Sequence, residues 1–445
     1  MIRFILIIFL FVFHCASAFA DSITYETAVK DALKNSAKVK MKAEEIGIAH
    51  AYFKENQGGL YPQISANTRM EKYQNLYNTE NITISGEVVA GEQTAWRNSA
   101  YLSGQYYLSN WYKKRLEVNY YEKLRDVRTY DCISEEKKLI QELTDIYNSL
   151  AQENLKLKYG LEILARLKDI HFLKQKGFEG GIFPYEDVLK AEAEWVGMDR
   201  ELAGVEKAFR ENLEKLKAYT GVAYDSRADV KTIIADGNLV ISEKSPIEKT
   251  PEYIARFKEL DALKSKQKAA ANNYLPDIQL YGRYELFGQD ADHFDRAVKD
   301  VRQTDYVAGI FLTLPLFDGG TKKWERARSR LELKRQEENL KAVAQDKGKD
   351  IAALNTGYAE LKKALTHYRK LQEQSARMLE ITKKAHTLGD RSLIDIATME
   401  KEALGIDRDL KLAELSTAIY EKRILLETDY ENFMKDYNGN RTCKY

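Results

Sequence analysis

The chain contains the same arrangement of sequence patterns twice, and the two copies lie about 210 residues apart. The first copy starts at Leu60-Tyr61-Pro62 and the second at Tyr274-Leu275-Pro276. Each start is followed by two runs of alternating polar and apolar residues, and then by a very long region without proline. This period is too long for a solenoid unit. The sequence therefore predicts two fused halves, each with two strands and two long helices.

Alternating runs predict the strands. They cover residues 61–72 and 100–108 in the first half, and residues 278–286 and 308–314 in the second. In each run one face is mainly apolar and the other mainly polar. The polar faces of the first and third strands carry Ser65, Asn67, Arg69, Glu71, Gln279, Arg283 and Glu285. After the fourth strand, Asp318 is placed to cap the next helix.

The regions after the strands have the periodicity of coiled-coil seams. Residues 111–176 and 321–388 contain no proline, and their apolar residues recur at steps of three and four. A helix of some 65 residues is roughly 100 Å long at about 1.5 Å per residue. Gly180-Gly181 and Gly389 interrupt the seams and predict turns at which the chain reverses. A shorter helix is predicted over residues 24–56.

The first 20 residues predict a secretory signal. Arg3 precedes the apolar run 4–13, and Ala18-Phe19-Ala20 fits a small-x-small cleavage site. Lipidation of Cys15 is a second interpretation, although Phe13 and His14 make a poor lipobox.

The remaining chain has balanced charge. The full sequence has 69 Lys and Arg residues against 68 Asp and Glu, and Arg3 of the predicted signal is one of the basic residues, so the remainder has 68 of each. This balance gives no reason to expect nucleic acid as a partner, and it suits long solvated helices with paired charges. Two cysteines remain after the predicted cleavage, Cys132 and Cys443. Two isolated cysteines are no disulfide framework, so a bridge and two free thiols both remain open.

These boundaries predict five segments. Residues 1–20 are the signal peptide, 21–220 the first structural repeat, 221–250 a linker, 251–433 the second repeat and 434–445 a polar, poorly ordered tail.

Four strands cannot close a barrel, and an open strand edge cannot face lipid. If these are membrane strands, several chains must share one barrel. Two chains give eight strands, which side chains would fill, and three give twelve, which leave a lumen. The polar faces would then line water and the apolar faces would meet lipid.

The chain resembles the TolC-like outer-membrane efflux protein family, also called outer membrane factors. The resemblance rests on the paired strand starts, on Pro315-Leu316-Phe317-Asp318-Gly319-Gly320, and on the turn sequences 181–189 and 389–396. It implies a mainly α-helical fold with long antiparallel coiled-coil helices. Each chain contributes four β-strands to a 12-stranded barrel shared by a homotrimer, above a periplasmic α-helical tunnel. It also implies a passive conduit for tripartite efflux or type I secretion, opened by a periplasmic adaptor and an inner-membrane transporter.

The same resemblance implies roles for residues at the two turns. Asp395 would form a carboxylate ring at the constriction, which attracts cations. Arg391 and Asp187 match positions that form an ionic link restraining the inner coil. Adaptor docking would involve the turns at Gly181, Gly389 and Ser392.

Two residues depart from the family pattern. His386 stands where well-known members have a tyrosine, which puts the expected gate hydrogen bond in doubt. A pH-sensitive gate is one interpretation, and a histidine packed in the seam is the favoured one. Thr398 stands where some members have a second acidic residue.

Enzymatic chemistry is not expected. The sequence has no metal-spaced histidine pair, no glycine-rich phosphate loop and no nucleophile elbow, so no cofactor or metal is predicted. The alternative function is a periplasmic coiled-coil adaptor or scaffold, which would have a β-sandwich or lipoyl-like module and one hairpin. A surface adhesin would need a large external domain, and loops 75–95 and 288–303 are short.

Overall fold

The computed structural model describes residues 22–74, 83–84, 87–88, 94–225, 228–235, 247–290, 292–437 and 443. The predicted signal, with Cys15, and most of the loop predicted over 75–95 lie outside the described residues. The chain divides into two compact units. The helical unit contains residues 1–43, 130–254 and 342–445, and the sheet unit contains residues 44–129 and 255–341.

The secondary structure confirms a mainly helical chain with four long strands. The helices are α1 (Tyr25–Asn35), α2 (Ala37–Gly58), α3 (Lys114–Glu179), α4 (Tyr185–Thr220), α5 (Pro251–Asn272), α6 (Phe294–Lys299), α7 (Thr321–Thr387), α8 (Leu393–Thr428) and α9 (Tyr430–Phe433). The strands are β1 (Ser22–Ile23), β2 (Gln63–Gln74), β3 (Thr83–Ile84), β4 (Glu87–Val88), β5 (Thr94–Tyr107), β6 (Asp229–Val230), β7 (Asp277–Asp290) and β8 (Gln303–Thr313). Among the described helices, none has the length and apolar character that a membrane span requires.

The sheet unit contains one antiparallel sheet in the order β2-β5-β7-β8. These are the four strands that alternation predicted, although β5 starts earlier and β7 ends later than the predicted runs. The loop predicted over 288–303 is therefore shorter, and α6 lies within it. The outer strands, β2 and β8, are the two edges of the sheet.

The strand register places polar residues on one face. Ser65 pairs with Ser103, and Ser103 pairs with Arg283. Ala66 pairs with Leu102 on the opposite face, and Leu102 pairs with Tyr284. Leu102 and Tyr284 are exposed in the single chain. The sheet thus presents an uncovered apolar surface, as expected of strands that face lipid.

The core of the helical unit lies along α3. Leu139, Leu143 and Leu150 of the predicted seam are buried. The hydroxyl of Tyr147, also buried, donates to the carbonyl of Ile23 at 3.1 Å. These contacts attach the N-terminal strand β1 to the helix, and β1 pairs in parallel with β6 of the predicted linker.

The predicted helix over 24–56 is divided at Ser36, where the backbone is extended. The reason is competition from polar side chains, through one local bond and one bond to a distant segment. Asn35 donates to the carbonyl of Thr220 at 2.5 Å, and the Ser36 hydroxyl accepts from the Val39 amide at 3.4 Å. The single-helix prediction was wrong at this position.

The C-terminal segment also differs from its prediction. Residues Met434–Tyr437 form a short 3-10 helix, and Met434 and Tyr437 are buried. A disulfide joins Cys132 to Cys443, with the two Cα atoms 5.7 Å apart. The described part of this segment is therefore an ordered, attached element, and the bridge that the sequence left open is formed.

Candidate functional site

The turn between α3 and α4 is closed by glycine. Gly181 has a φ of 74°, a left-handed conformation that favours glycine. Its amide donates to the carbonyl of Phe178 at 2.9 Å, and the Ile182 amide donates to that of Gly177 at 2.7 Å. A β-carbon at Gly177 would lie 2.2 Å from the Phe183 ring, so a close contact of ring and backbone supports the turn.

The turn between α7 and α8 has an equivalent design. Gly389 has a φ of 86°, and the next amide, Asp390, donates to the carbonyl of Ala385 at 3.0 Å. This bond from beyond the glycine to the last helical turn is a Schellman closure. Of the three glycines that the sequence singled out, Gly181 and Gly389 therefore adopt the conformation that a reversal requires, and Gly180 does not.

His386 closes the second turn from the side. Its Nδ1 lies 2.7 Å from the carbonyl oxygen of Arg391. Because a carbonyl only accepts, Nδ1 carries the proton in this contact. The side chain is half-buried and spans the turn, which differs from the packed seam histidine that the sequence favoured.

Asp395 and Ser392 form a capping box at the start of α8. The Asp395 carboxylate accepts from the Ser392 amide at 2.8 Å and from its hydroxyl at 2.9 Å. In return the Asp395 amide donates to the Ser392 hydroxyl at 3.2 Å. The backbone hydrogen bond from Ser392 holds the pKa of the Asp395 carboxyl below its usual range. Asp395 is thus ionised and held by its own helix terminus.

Arg391 also approaches the same carboxylate, with its Nη1 4.0 Å from Asp395 Oδ1. Asp187 is half-buried in the first turn of α4, where its amide donates to the Pro184 carbonyl at 3.1 Å. Within one chain, the described residues contain no ion pair between Arg391 and Asp187. The predicted link would have to join neighbouring copies.

The two hairpins are joined near the turns by contacts that the sequence analysis missed. The carboxylate of Glu400, on α8, lies 3.4 Å from Arg166 of α3 and 2.8 Å from Lys383 of α7. Lys401 reaches Glu194 of α4 at 3.5 Å. Beside these pairs, a small apolar cluster is formed by Ile170, Ala191, Ala397 and Ile394. One helical turn of α8 therefore connects all four long helices.

A buried cluster of four charges, here called the ion cluster, lies elsewhere in the helical unit. Lys137 is fully buried and lies 3.0 Å from Glu252 and 2.9 Å from Glu427. Lys347 lies 3.2 Å from Glu252 and 3.0 Å from Glu427. Burial opposes ionisation of Glu252, but Lys137 and Lys347 outweigh it, so the pKa of this carboxyl is below its ordinary value.

The polar face of the sheet also contains alternating charges. Arg97 lies 3.3 Å from Glu285, and Arg283 lies 3.3 Å from Glu285 and 3.8 Å from Asp305. Arg283 and Glu285 were predicted to face water; Arg283 is half-buried, whereas Glu285 is buried between Arg97 and Arg283. Arg97 and Asp305 extend the charged row. In the described chain, no cluster of histidine, cysteine and acidic residues has the geometry to hold a metal ion.

The fold defines a class of protein. The chain superposes on the outer membrane channel CmeC of Campylobacter jejuni with a TM-score of 0.72 and 17% identity, over 94% of this chain and 89% of that one. It also superposes on CusC, whose structures describe folding and transmembrane channel formation, with a TM-score of 0.74 and 13% identity over 91% of each chain. The fold is thus that of outer membrane channels.

The sequence signature of the outer membrane efflux protein family matches residues 28–222 and 254–425, and the chain belongs to that family. Outer membrane protein TolC of Vibrio cholerae serotype O1 is 23% identical over 297 residues, which are 65% of this chain and 67% of TolC. The predicted family is therefore confirmed, together with a place in the outer membrane.

Proposed function

We propose that this chain is the outer membrane channel of a tripartite efflux or type I secretion system. The observation that carries the proposal is the four-stranded sheet with one polar face, one exposed apolar face and two edge strands, β2 and β8. Such edges cannot remain unpaired in lipid. Family membership agrees with this assignment.

Three copies complete the channel in this proposal. Because β2 and β8 are antiparallel edges of one sheet, β8 of one copy can pair with β2 of the next and keep the whole barrel antiparallel. Twelve strands enclose a water-filled lumen, whereas eight would be filled by side chains. The charged row with Arg97, Arg283 and Glu285 lines that lumen. The channel is passive, and an inner-membrane transporter supplies the energy.

The turns form the periplasmic gate and the adaptor-docking surface. Gly181, Gly389 and Ser392 shape the turns that a periplasmic adaptor contacts. The contacts of Glu400 and Lys401 hold the two hairpins together in the closed state. An adaptor opens the gate by binding the dilated arrangement more tightly than the closed one. Asp395 narrows the entrance as a carboxylate ring and caps its own helix.

The Arg391–Asp187 link forms between copies in this proposal. Conductance of the purified protein in planar bilayers tests it. Arg391→Ala and Asp187→Ala should each enlarge the resting conductance, since each removes one partner. An unchanged resting pore in both variants would remove the link from the gate.

Fractionation and gel electrophoresis test the function itself. The expected result is a detergent-extracted trimer from the outer membrane that dissociates on heating and conducts ions in planar bilayers. A monomer released by osmotic shock without detergent would overturn the proposal and favour a periplasmic scaffold.

A further inference from the structure

Two large apolar side chains project from the chain directly after β8. Leu316 is 91% exposed and Phe317 is 89% exposed. They follow the last strand residue, Thr313, by a few positions and precede α7. Single exposed apolar residues are ordinary, but two adjacent ones with almost no contact within the chain indicate a surface for a partner.

The backbone holds this corner rigidly. Asp318 accepts from the Gly320 amide at 2.9 Å through one oxygen and from the Lys322 amide at 3.0 Å through the other. Gly319 and Gly320 have φ values of 67° and 85°, which favour glycine. The sequence-based expectation that Asp318 caps α7 is confirmed. Leu316 and Phe317 are therefore presented in a fixed position, which lowers the entropy lost when they bind.

An apolar cavity lies at the opposite edge of the same sheet. Its volume is about 400 Å³, and its walls are Leu60, Tyr61, Pro62, Tyr106 and Trp111, with the polar residues Gln57 and Arg115 beside them. The Trp111 ring nitrogen donates to the Tyr106 hydroxyl at 2.7 Å, which fixes one wall. Tyr61 and Trp111 are 64% and 63% exposed, so the cavity is open at the surface of the chain.

The sheet topology relates this corner to the cavity. β2 starts at Gln63 and β8 ends at Thr313, and both ends lie at the same rim, because the row Gln63, Gln105, Tyr281 and Gly309 is paired across the sheet and Thr313 lies four residues beyond Gly309. Within one chain β5 and β7 separate the two features. If β8 of one copy pairs with β2 of the next, the residues after β8 pass beside the residues before β2.

We propose that Leu316 and Phe317 of one copy dock into the Leu60–Trp111 cavity of the neighbouring copy, and that this contact closes each seam at the rim of the shared barrel. The inference rests on the proposed function, because it requires β8 and β2 of neighbouring copies to pair. It adds the occupant, a second copy of this chain, and the residues on both sides. The cavity is thus incomplete in a single chain.

Cysteine cross-linking tests the contact. The double variant Phe317→Cys with Tyr61→Cys is oxidised in membranes and separated without reductant after boiling. Each copy would join both neighbours, so the expected products are covalent dimers and trimers. The control is Tyr306→Cys with Tyr61→Cys. Tyr306 is an exposed aromatic residue of β8, seven residues before the end of that strand, so it lies roughly 20 Å or more from the corner that carries Phe317 and should give no such products.

A second measurement does not depend on introduced cysteines. Phe317→Ala should lower the temperature at which the trimer dissociates in detergent, and Phe317→Leu should restore part of the loss because it keeps an apolar anchor. Phe311→Ala, which truncates an exposed aromatic within β8, is the control for a general loss of apolar surface.

The outcomes separate the two proposals. Failure of the wild-type chain to form a trimer overturns the proposed function. A wild-type trimer in which the Phe317 pair gives no covalent products overturns the docking contact alone. If the double cysteine variant does not assemble, the Phe317→Ala variant tests the contact instead. A trimer of this variant that dissociates at the wild-type temperature would overturn the docking contact. A cavity occupied by lipid would also give trimers without cross-links.

Discussion

Cys132 and Cys443 are 311 residues apart in the chain and are bonded to each other. The bond attaches the C-terminal segment to α3, next to a second contact in which the Cys443 amide donates to Glu136 at 3.1 Å. Glu136 also accepts from the Tyr430 hydroxyl at 3.0 Å. A disulfide, a helix capped by Asp429 and a buried carboxylate therefore fix the end of the described chain to one place.

Removal of the disulfide should destabilise the helical unit. Cys132→Ser is expected to cost about 2–5 kcal/mol, because the bond restricts the unfolded chain over a long loop. Thermal unfolding followed by helical circular dichroism, with and without reductant, measures the loss. Cys443→Ser should have the same effect, and the double variant should lose no more. A further loss in the double variant would show that each cysteine acts independently of the bond.

The ion cluster should be more sensitive to single truncations than surface ion pairs are. Lys137→Met is expected to cost about 3–5 kcal/mol, because it leaves the two carboxylates of the ion cluster with one of their two lysine partners. The matched control is Lys349→Met on α7, which breaks an exposed pair with Asp346 and should cost less than about 1 kcal/mol. If chemical denaturation showed that both variants lose the same free energy of unfolding, burial would not be the reason for the sensitivity of the ion cluster.

Stability should depend on pH through the same cluster. The pKa of Glu252 lies below its ordinary value of 4.5. The contribution of ionised Glu252 to the free energy of unfolding is therefore complete above about pH 4.5, and it is lost as the pH falls through the pKa of Glu252 in the folded chain. Burial disfavours the charged form of Lys347, but Glu252 and Glu427 outweigh it and raise its pKa above 10.5. The contribution of charged Lys347 to the free energy of unfolding is complete below about pH 10.5, and it is lost as the pH rises through the pKa of Lys347 in the folded chain.

Unfolding experiments over this pH range should give a plateau with a fall on both sides. The control is Glu252→Gln with Lys347→Met, which removes both titrating groups and should flatten the two flanks relative to the wild type. Flanks that remain unchanged in the double variant would assign the pH dependence to other groups.

The contacts of Glu400 should restrain the closed gate. Glu400→Gln is expected to raise the resting conductance by about two- to thirty-fold, because its two partly exposed ion pairs at about 0.2–1 kcal/mol each contribute about 0.4–2 kcal/mol to the closed state. Glu211→Gln, which alters an exposed pair within α4, should leave the conductance unchanged. An increase that is equal in both variants would point to a general charge effect.

Two substitutions separate the two roles of Asp395. Ser392→Ala removes the cap and should destabilise the start of α8 by about 1 kcal/mol, detected as faster amide hydrogen exchange in its first turn. It leaves the carboxylate in place, so cation preference in planar bilayers should remain. Asp395→Asn should lower that preference. If Asp395→Asn leaves ion selectivity unchanged, Asp395 is a cap without a role in permeation.

The sequence predicted the sheet and the turns well because their signals are local. A strand with one face toward water needs alternating polar and apolar residues, as in the run from Ile64 to Glu71. A reversal of the chain needs a residue that tolerates positive φ, such as Gly389. The capping box also had a local signal, Ser392 followed three positions later by Asp395, and it was overlooked in favour of the family role.

The remaining features depend on contacts between distant segments. Lys137 appears in the sequence as an ordinary charged residue of a long helix, and its burial depends on α5, α7 and α8. The pairing of Cys132 with Cys443 has no local pattern. Glu400 could not be assigned for the same reason, because its partners lie on two other helices.

The two sheet edges determine what a defective copy does in a mixed population. In the proposed trimer each copy supplies β2 to one neighbour and β8 to the other, because these strands are the two edges of the sheet, so one copy with a damaged edge would interrupt the ring even when its companions are intact. In cells that express both forms, the yield of sound rings should fall as the cube of the intact fraction. Lesions in β8 should therefore be genetically dominant, whereas lesions that prevent export of the chain should be recessive.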